Sequence, residues 1–302
     1  MRIGVTGASG LVGRDLIPML EANGGEVYRF VRGKTTSVQQ RAWAPQLGGV
    51  SQESLQDLDA VIHLAGENIG EGRWSAAKKD RIRSSRVEGT RAIAQAMASL
   101  PNGPRTFVCA SAIGFYGNRG DEKLTEAATV GKGFLPEVCD AWEKAADAAR
   151  ERGIRVVHLR FGMILSPEGG ALAKMTLPFK LCVGGIIGNG KQYWSWLSLP
   201  DAASIVAAAV HDSRFVGAVN AVAPEETTNL QFTKTLGRVL SRPTIFPMPG
   251  FAARLALGEM ANDLLLSSSR VIPEKLQSLN YDFQHPTLEQ ALRDLLDRPL
   301  SS

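Results

Sequence analysis

Short apolar runs alternate with longer amphipathic stretches through the first half of the chain. Arg2–Thr6 reads as a buried strand, and Leu11–Ala22 as a helix that stops at Asn23-Gly24-Gly25. Glu26–Arg32 predicts a second strand, Asp59–Ala65 a third, Thr106–Ser111 a fourth and Ile154–Phe161 a fifth. Between them a polar helix is expected from about Ser75 to Ser99, and another over Phe134–Glu151. Strands that alternate with helices in this way predict an α/β fold, a doubly wound parallel sheet covered on both faces.

The texture changes over residues 166–200. Pro167, Gly169, Gly170, Gly184, Gly185, Gly188 and Gly190 fall there, together with Trp194 and Trp196. Gly-rich aromatic connections beyond the main strands are where such folds build substrate pockets. A helix over Pro200–Asp212 and a strand over Ala218–Val222 return to the sheet. From Asn229 onward the pattern is mostly helical, broken by Pro243, Pro247, Pro249, Pro273 and Pro286. The expected division is a cofactor domain over 1–225, with a substrate-lobe insertion at about 166–200, and a smaller helical lobe over 226–302.

Thr6-Gly7-Ala8-Ser9-Gly10-Leu11-Val12-Gly13 sits between the first strand and the first helix, the context a Rossmann-type dinucleotide turn requires. Gly7 permits the tight turn, Gly10 lets backbone approach a pyrophosphate, and Gly13 lets the helix pack close. The helix start then offers N–H groups and a positive dipole end to the phosphates. An NAD site usually carries Asp or Glu at the end of the second strand. Here Val31-Arg32-Gly33-Lys34 stands there, with no acid between Glu26 and Glu53. Arg32 and Lys34 suit a 2′-phosphate, which favours NADP(H) over NAD(H), although a solvated basic loop would look the same.

Composition removes several other functions. Basic residues number 34 and acidic ones 30, a net +4 too thin for a nucleic-acid surface. Cys109, Cys139 and Cys182 form no CxxC pair, and the four histidines stand apart, so neither a disulfide framework nor a metal site is expected. No leader or long apolar run is read, so a cytoplasmic protein without a membrane partner is expected.

With Thr6–Gly13, His63-Leu64-Ala65-Gly66 and Ser111–Gly117 in hand, the chain resembles an extended short-chain dehydrogenase/reductase. More narrowly it is similar to the atypical branch called epimerase family proteins, an NAD-dependent epimerase/dehydratase-like domain followed by a DUF1731-like domain. Arg73-Trp74-Ser75, Trp142-Glu143, Gly188-Asn189-Gly190 and Gly258–Ala261 carry that likeness. The resemblance implies a C-terminal lobe over the cofactor and no settled substrate. It puts Thr6, Gly7, Ser9, Gly10, Leu11, Val12, Gly13, Arg32, Lys34, Leu64, Ala65, Gly66, Glu67, Ala110 and Arg160 along the cofactor.

The broader superfamily uses an Asn, Ser/Thr, Tyr and Lys tetrad, with Tyr and Lys four apart on one helix. No tyrosine here has Lys four residues on. Aligned on Trp142-Glu143, the Tyr and Lys positions hold Leu135 and Cys139. The Ser/Thr position holds Ala112, with Ser111 one residue off, and the Asn position holds Arg86. Arg86, Ser111 and Tyr116 are the remaining catalytic candidates. Arg86 could bind a carboxylate, phosphate or oxyanion, or pair with an acid inside the helix layer. Tyr116 could donate a proton or pack over the sheet, Cys139 reads as a small buried group, and Glu67 could contact ribose or form a loop salt bridge. Gly188, Lys191, Trp194 and Trp196 resemble a substrate-contacting segment suited to an anionic or flat ligand. Trp194 and Trp196, two apart, would face one side of a strand, or pack between lobes. Two functions follow: an NADP(H)-dependent oxidoreductase or nucleotide-sugar epimerase acting on a small molecule, or a non-catalytic NADP(H)-sensing regulator with a protein partner, tied in some relatives to cell division.

Overall fold

The apolar runs lie side by side in the middle of the molecule. The computed structural model describes residues 1–44 and 49–297. Among them, seven strands form one parallel sheet: β1 (Arg2–Thr6), β2 (Glu26–Val31), β3 (Gln40–Ala42), β4 (Ala60–His63), β5 (Thr106–Ala112), β6 (Arg155–Phe161) and β7 (Gly217–Ala221). Their spatial order is β7-β6-β5-β4-β1-β2-β3. This is the doubly wound Rossmann-like arrangement, and the order reverses between β1 and β4.

The inner strands read as unbroken apolar runs because both faces are buried. Val61 and Ile62 point to opposite sides, as do Phe107 and Val108, and Val156 and Val157. One apolar layer gathers Ile3, Val5, Leu16, Ile62, Val108 and Leu159; the other gathers Phe30, Leu55, Val61, Ile93, Met97 and Phe107. The covering helices include α1 (Leu11–Ala22), α2 (Ala76–Ser99), α3 (Phe134–Lys144), α4 (Asp147–Glu151), α5 (Gly170–Lys180), α6 (Leu199–His211), α7 (Asn229–Val239), α8 (Gly250–Leu257) and α9 (Leu288–Leu295). Hydroxyls set several starts: Ser75 Oγ accepts from Lys78 N, and Thr228 with Gln231 closes a reciprocal capping box before α7.

Four local expectations change. The single helix expected over Phe134–Glu151 is two, because the chain turns at the buried Ala145 and Ala146, where no Gly or Pro marks the break. β3 is a polar edge strand with no apolar alternation to announce it. The stretch read as a Gly-rich connection over 166–200 contains α5, which buries Leu172 and Phe179 despite carrying Pro178. β4 is also shorter than expected: Leu64 and Ala65 have already left the sheet.

The C-terminal region is helical and returns to the sheet's ligand-facing edge. Arg270–Val271 pairs in parallel with Lys123–Leu124, and α9 buries Leu288, Ala291 and Leu292. Residues 298–302 of the expected lobe lie outside the described residues. Among those described, no helix is long and apolar enough to cross a membrane.

Candidate functional site

Gly7 leaves β1 with φ +70°, a left-handed conformation that a side chain would strain. A Cβ there would also fall 2.8 Å from Leu64 C and 2.9 Å from Ala65 N, so the turn lies against the chain leaving β4. Gly10 N donates to Gly7 O at 2.9 Å, and Arg14 N to Gly10 O at 3.1 Å. The first turn of α1 has no capping side chain and no acid, so its positive end has no protein counter-charge there. A Cβ on Gly13 would stand 2.4 Å from Gly7 O and 2.8 Å from Ala8 O. Gly13→Val must therefore push α1 off the turn. We expect it to weaken binding of a pyridine nucleotide by about 100-fold, roughly 2.7 kcal/mol, while the fold persists; calorimetry reads this directly, and unchanged affinity would separate the turn from the cofactor.

Ser9 is exposed, and Leu11 and Val12 are half-buried beside the turn. Thr6 is enclosed instead. Its Oγ1 lies 2.7 Å from His63 Nδ1, so the side chain braces β1 against β4. Burial pushes the His63 pKa down to about 3, with the Arg86 charge adding to the effect. Past the second strand, Arg32 and Lys34 are exposed and make no ion pair among the described residues. By contrast Arg29 faces Glu21 at 3.5 Å and Arg41 stacks 4.1 Å over the Tyr28 ring.

Around the third βα connection, Glu67 takes Lys78 Nζ at 2.7 Å and Arg81 Nε at 3.5 Å, which holds its carboxyl below the usual range. The loop salt bridge is thus the arrangement present. Arg86, on α2, has no carboxylate partner among the described residues, contrary to the acid pair it was allowed above. Its Nη1 donates to Glu67 O at 3.0 Å and Ile82 O at 3.2 Å, and its guanidinium lies 5.1 Å from the Trp142 ring centroid. Burial lowers its pKa. Leu135 and Cys139 face the end of β5 from α3: a Cβ on Gly114 would meet Leu135 Cβ at 3.3 Å and Cys139 Sγ at 3.6 Å. Burial first, and Glu143 second, push the Cys139 thiol up to about 12, so it stays a neutral thiol.

Two catalytic candidates and one cofactor candidate belong to a structural network. Glu143 accepts from Ser111 Oγ at 2.7 Å and from Arg160 Nε and Nη2 at 2.8 Å each. Arg160 Nη1 donates to Tyr116 OH at 2.9 Å, and Tyr116 OH donates to Asn220 Oδ1 at 2.6 Å. Ser111, Tyr116 and Arg160 are all buried, and burial raises the Tyr116 pKa. Both hydroxyls donate to protein acceptors, and the Arg160 guanidinium stacks 3.6 Å from the Phe115 ring centroid. Ala110 is likewise buried within β5.

The segment read as substrate-binding divides. Lys191 is exposed, and Gly188 has φ +63° beside Leu266. Trp194 and Trp196 are buried: Trp194 Nε1 donates to Leu265 O at 3.2 Å and Trp196 Nε1 to Thr227 Oγ1 at 3.0 Å. Only Trp196 opens a strand, so the spacing of two does not place both indoles on one ligand face. They join the C-terminal region to the sheet domain.

Residues 3–221 match the model of the NAD dependent epimerase/dehydratase family, and residues 248–295 match a domain of unknown function, DUF1731. The chain belongs to the NAD-dependent epimerase/dehydratase family. It is 38% identical to an epimerase family protein of Mycobacterium leprae over 98% of this chain and 96% of that one. The crystal structure of human epimerase family protein SDR39U1 with NADPH superposes with a TM-score of 0.90 at 30% identity, covering 99% of this chain and 100% of that one. UDP-glucose 4-epimerase of Thermus thermophilus, in complex with NAD, shares the fold at 18% identity and a TM-score of 0.77, over 99% and 98% of the two chains.

Within this family fold, Glu143 and Asn220 are the residues that sequence reading missed. Trp142-Glu143 was only a landmark there, and the sole signal for a role was an acid on a helix that otherwise buries Val138, Cys139 and Trp142.

Proposed function

We propose that this chain binds NADP(H) in preference to NAD(H) and uses it to reduce or oxidise a small molecule. The observation that carries the cofactor assignment is the acid-free, uncapped start of α1 at the β1/β4 reversal, with Arg32 and Lys34 unpaired beyond β2. The NADPH in the crystals of the human relative supports the same choice. The first-turn amides of α1 would hold the diphosphate, and Arg32 with Lys34 would hold the 2′-phosphate. Arg32→Gln with Lys34→Gln should weaken NADPH binding about 10- to 100-fold, roughly 1.4–2.7 kcal/mol, and leave NADH binding unchanged. Equal losses for both nucleotides would remove the preference.

When bound, the nicotinamide supplies or accepts a hydride. Epimerisation also needs a side-chain base to strip a hydroxyl proton before hydride leaves, and the tetrad positions offer none: Leu135 and Ala112 are apolar and Cys139 is a neutral thiol. Ser111 and Tyr116 spend their protons inside the network. Reduction of a carbonyl, its proton drawn from water, makes the smallest demand on these residues and is favoured over sugar epimerisation. Loss of NADPH absorbance against a panel of aldehydes, ketones, oxo acids and nucleotide sugars tests this. Tight NADPH binding with no turnover on any of them would favour the second reading, a cofactor-sensing regulator, which the same apolar tetrad positions support.

A further inference from the structure

Arg86 is a half-buried cation whose charge is not neutralised. Nη1 is occupied by two carbonyl oxygens, while Nε and Nη2 bond to no protein atom among the described residues and are not sealed from solvent. Removing a guanidinium from water without an anion is unfavourable, and the two carbonyls and the Trp142 ring offset it only in part. The nearest acid, Glu67, turns its carboxylate to Lys78 and Arg81 and gives Arg86 only its carbonyl.

Gly66 makes the second observation. Its backbone lies outside the left-handed region, so no turn demands glycine. A Cβ there would rest 3.3–3.5 Å from Cζ, Nη1 and Nη2 of Arg86, so glycine leaves the guanidinium uncovered. Gly66 is exposed. Across the same loop, Lys174 of α5 donates Nζ to Gly70 O and likewise has no carboxylate partner among the described residues. Two cations therefore flank residues 66–70, at the edge where strands of a parallel sheet present ligands.

We infer that Arg86 is the receptor for a carboxylate on the substrate, seated over Gly66 with the Nε/Nη2 edge gripping both oxygens and Lys174 adding charge from the far side. The free side-on edge of a guanidinium matches a planar carboxylate bidentately. Combined with the proposed redox function, on which this assignment of substrate rests, the substrate class becomes a small oxo acid or its hydroxy counterpart. Arg86 would bind and orient it; no bond is made or broken at the guanidinium.

Oxalate, inorganic phosphate and neutral acetamide, titrated calorimetrically into the full chain with and without NADP⁺, test the site. Oxalate should bind at millimolar concentration or tighter, phosphate more weakly and acetamide not at all. Arg86→Gln should weaken oxalate at least 10-fold while NADP⁺ affinity moves less than 3-fold, and Arg86→Lys should keep part of the binding. Thermal melts establish that each variant is folded. Absence of oxalate binding to the wild type, unchanged binding in Arg86→Gln, or a preference for phosphate overturns the inference. A 10-fold loss of NADP⁺ affinity in Arg86→Gln also overturns it, because the guanidinium would then serve the cofactor. If NADP⁺ itself fails to bind, the redox reading falls, while the cofactor-free oxalate titration still decides whether the anion site exists.

Discussion

Glu143→Leu is expected to destabilise the protein by about 3–5 kcal/mol, the range for removing one partner of a buried ion pair. The Glu143 and Arg160 side chains are 13% and 5% exposed, so neither water nor salt can replace the lost charge. The substitution strands the Arg160 guanidinium and leaves Ser111 Oγ without its acceptor. Burial alone would lower the Arg160 pKa, and in the native protein the bonds to Glu143 outweigh it; the variant loses that support and leaves a buried, unpaired guanidinium. Domains are stable by only about 5–15 kcal/mol, so most of the margin would go. The double variant Glu143→Leu with Arg160→Met should recover most of the loss, since a buried pair replaced by apolar groups is often close to neutral. Urea unfolding of the two single variants and the double one completes a cycle. A single-variant loss below about 1 kcal/mol, or a double variant no better than the singles, would refute the buried-pair account.

That network also explains what the sequence could and could not disclose. The inner strands were legible because their surroundings are encoded locally: both faces are apolar, so the runs are continuous. The cofactor turn was legible for a similar reason, since Gly7 and Gly13 answer to atoms within the same few residues and to the adjoining strand end. Tyr116 stayed between two readings, donating a proton or packing over the sheet, because its contacts depend on Asn220, 104 residues away, and on Arg160, 44 away. Position at the ligand edge of β5 was right, but hydroxyl direction is set by partners that no spacing reveals. Trp194 and Trp196 also stayed between two readings: a spacing of two implies one face only where both lie in one strand, and here only Trp196 does. For Arg86 the two readings differed in where a single carboxylate goes, and Glu67 chooses Lys78. The break at Ala145 and Ala146 carries no Gly or Pro, so the helical pattern runs through it unmarked.

Acid should weaken this fold well before its carboxylates protonate. His63 in β4 and His158 in β6 are both buried, 0% and 2% exposed. Burial pushes their pKa values from 6.5 down to about 3 and about 4, with neighbouring charges secondary in each case. Above pH 6.5 both histidines are neutral in the folded and the unfolded chain, so they contribute no pH dependence. As the pH falls below 6.5, the unfolded chain takes up two protons that the folded one refuses, and stability drops by up to about 1.4 kcal/mol per pH unit for each histidine. The drop continues until pH approaches the folded values. By pH 5 the two together should remove about 4 kcal/mol relative to pH 7.5. His63 cannot relieve this by finding a carboxylate: Nδ1 is engaged with Thr6, Nε2 has no partner, and the nearest charge is the Arg86 cation. For His158 burial outweighs the Glu143 and Asp147 charges that favour protonation, and its Nε2 lies 3.1 Å from the Arg150 guanidinium, which opposes it. Urea unfolding at pH 7.5, 6 and 5 measures the slope, and His158→Phe should halve it. A stability that stays level from pH 7.5 to 5 would mean that at least one imidazole finds an anion or water on protonation, and the two-histidine account of the acid side would have to be abandoned.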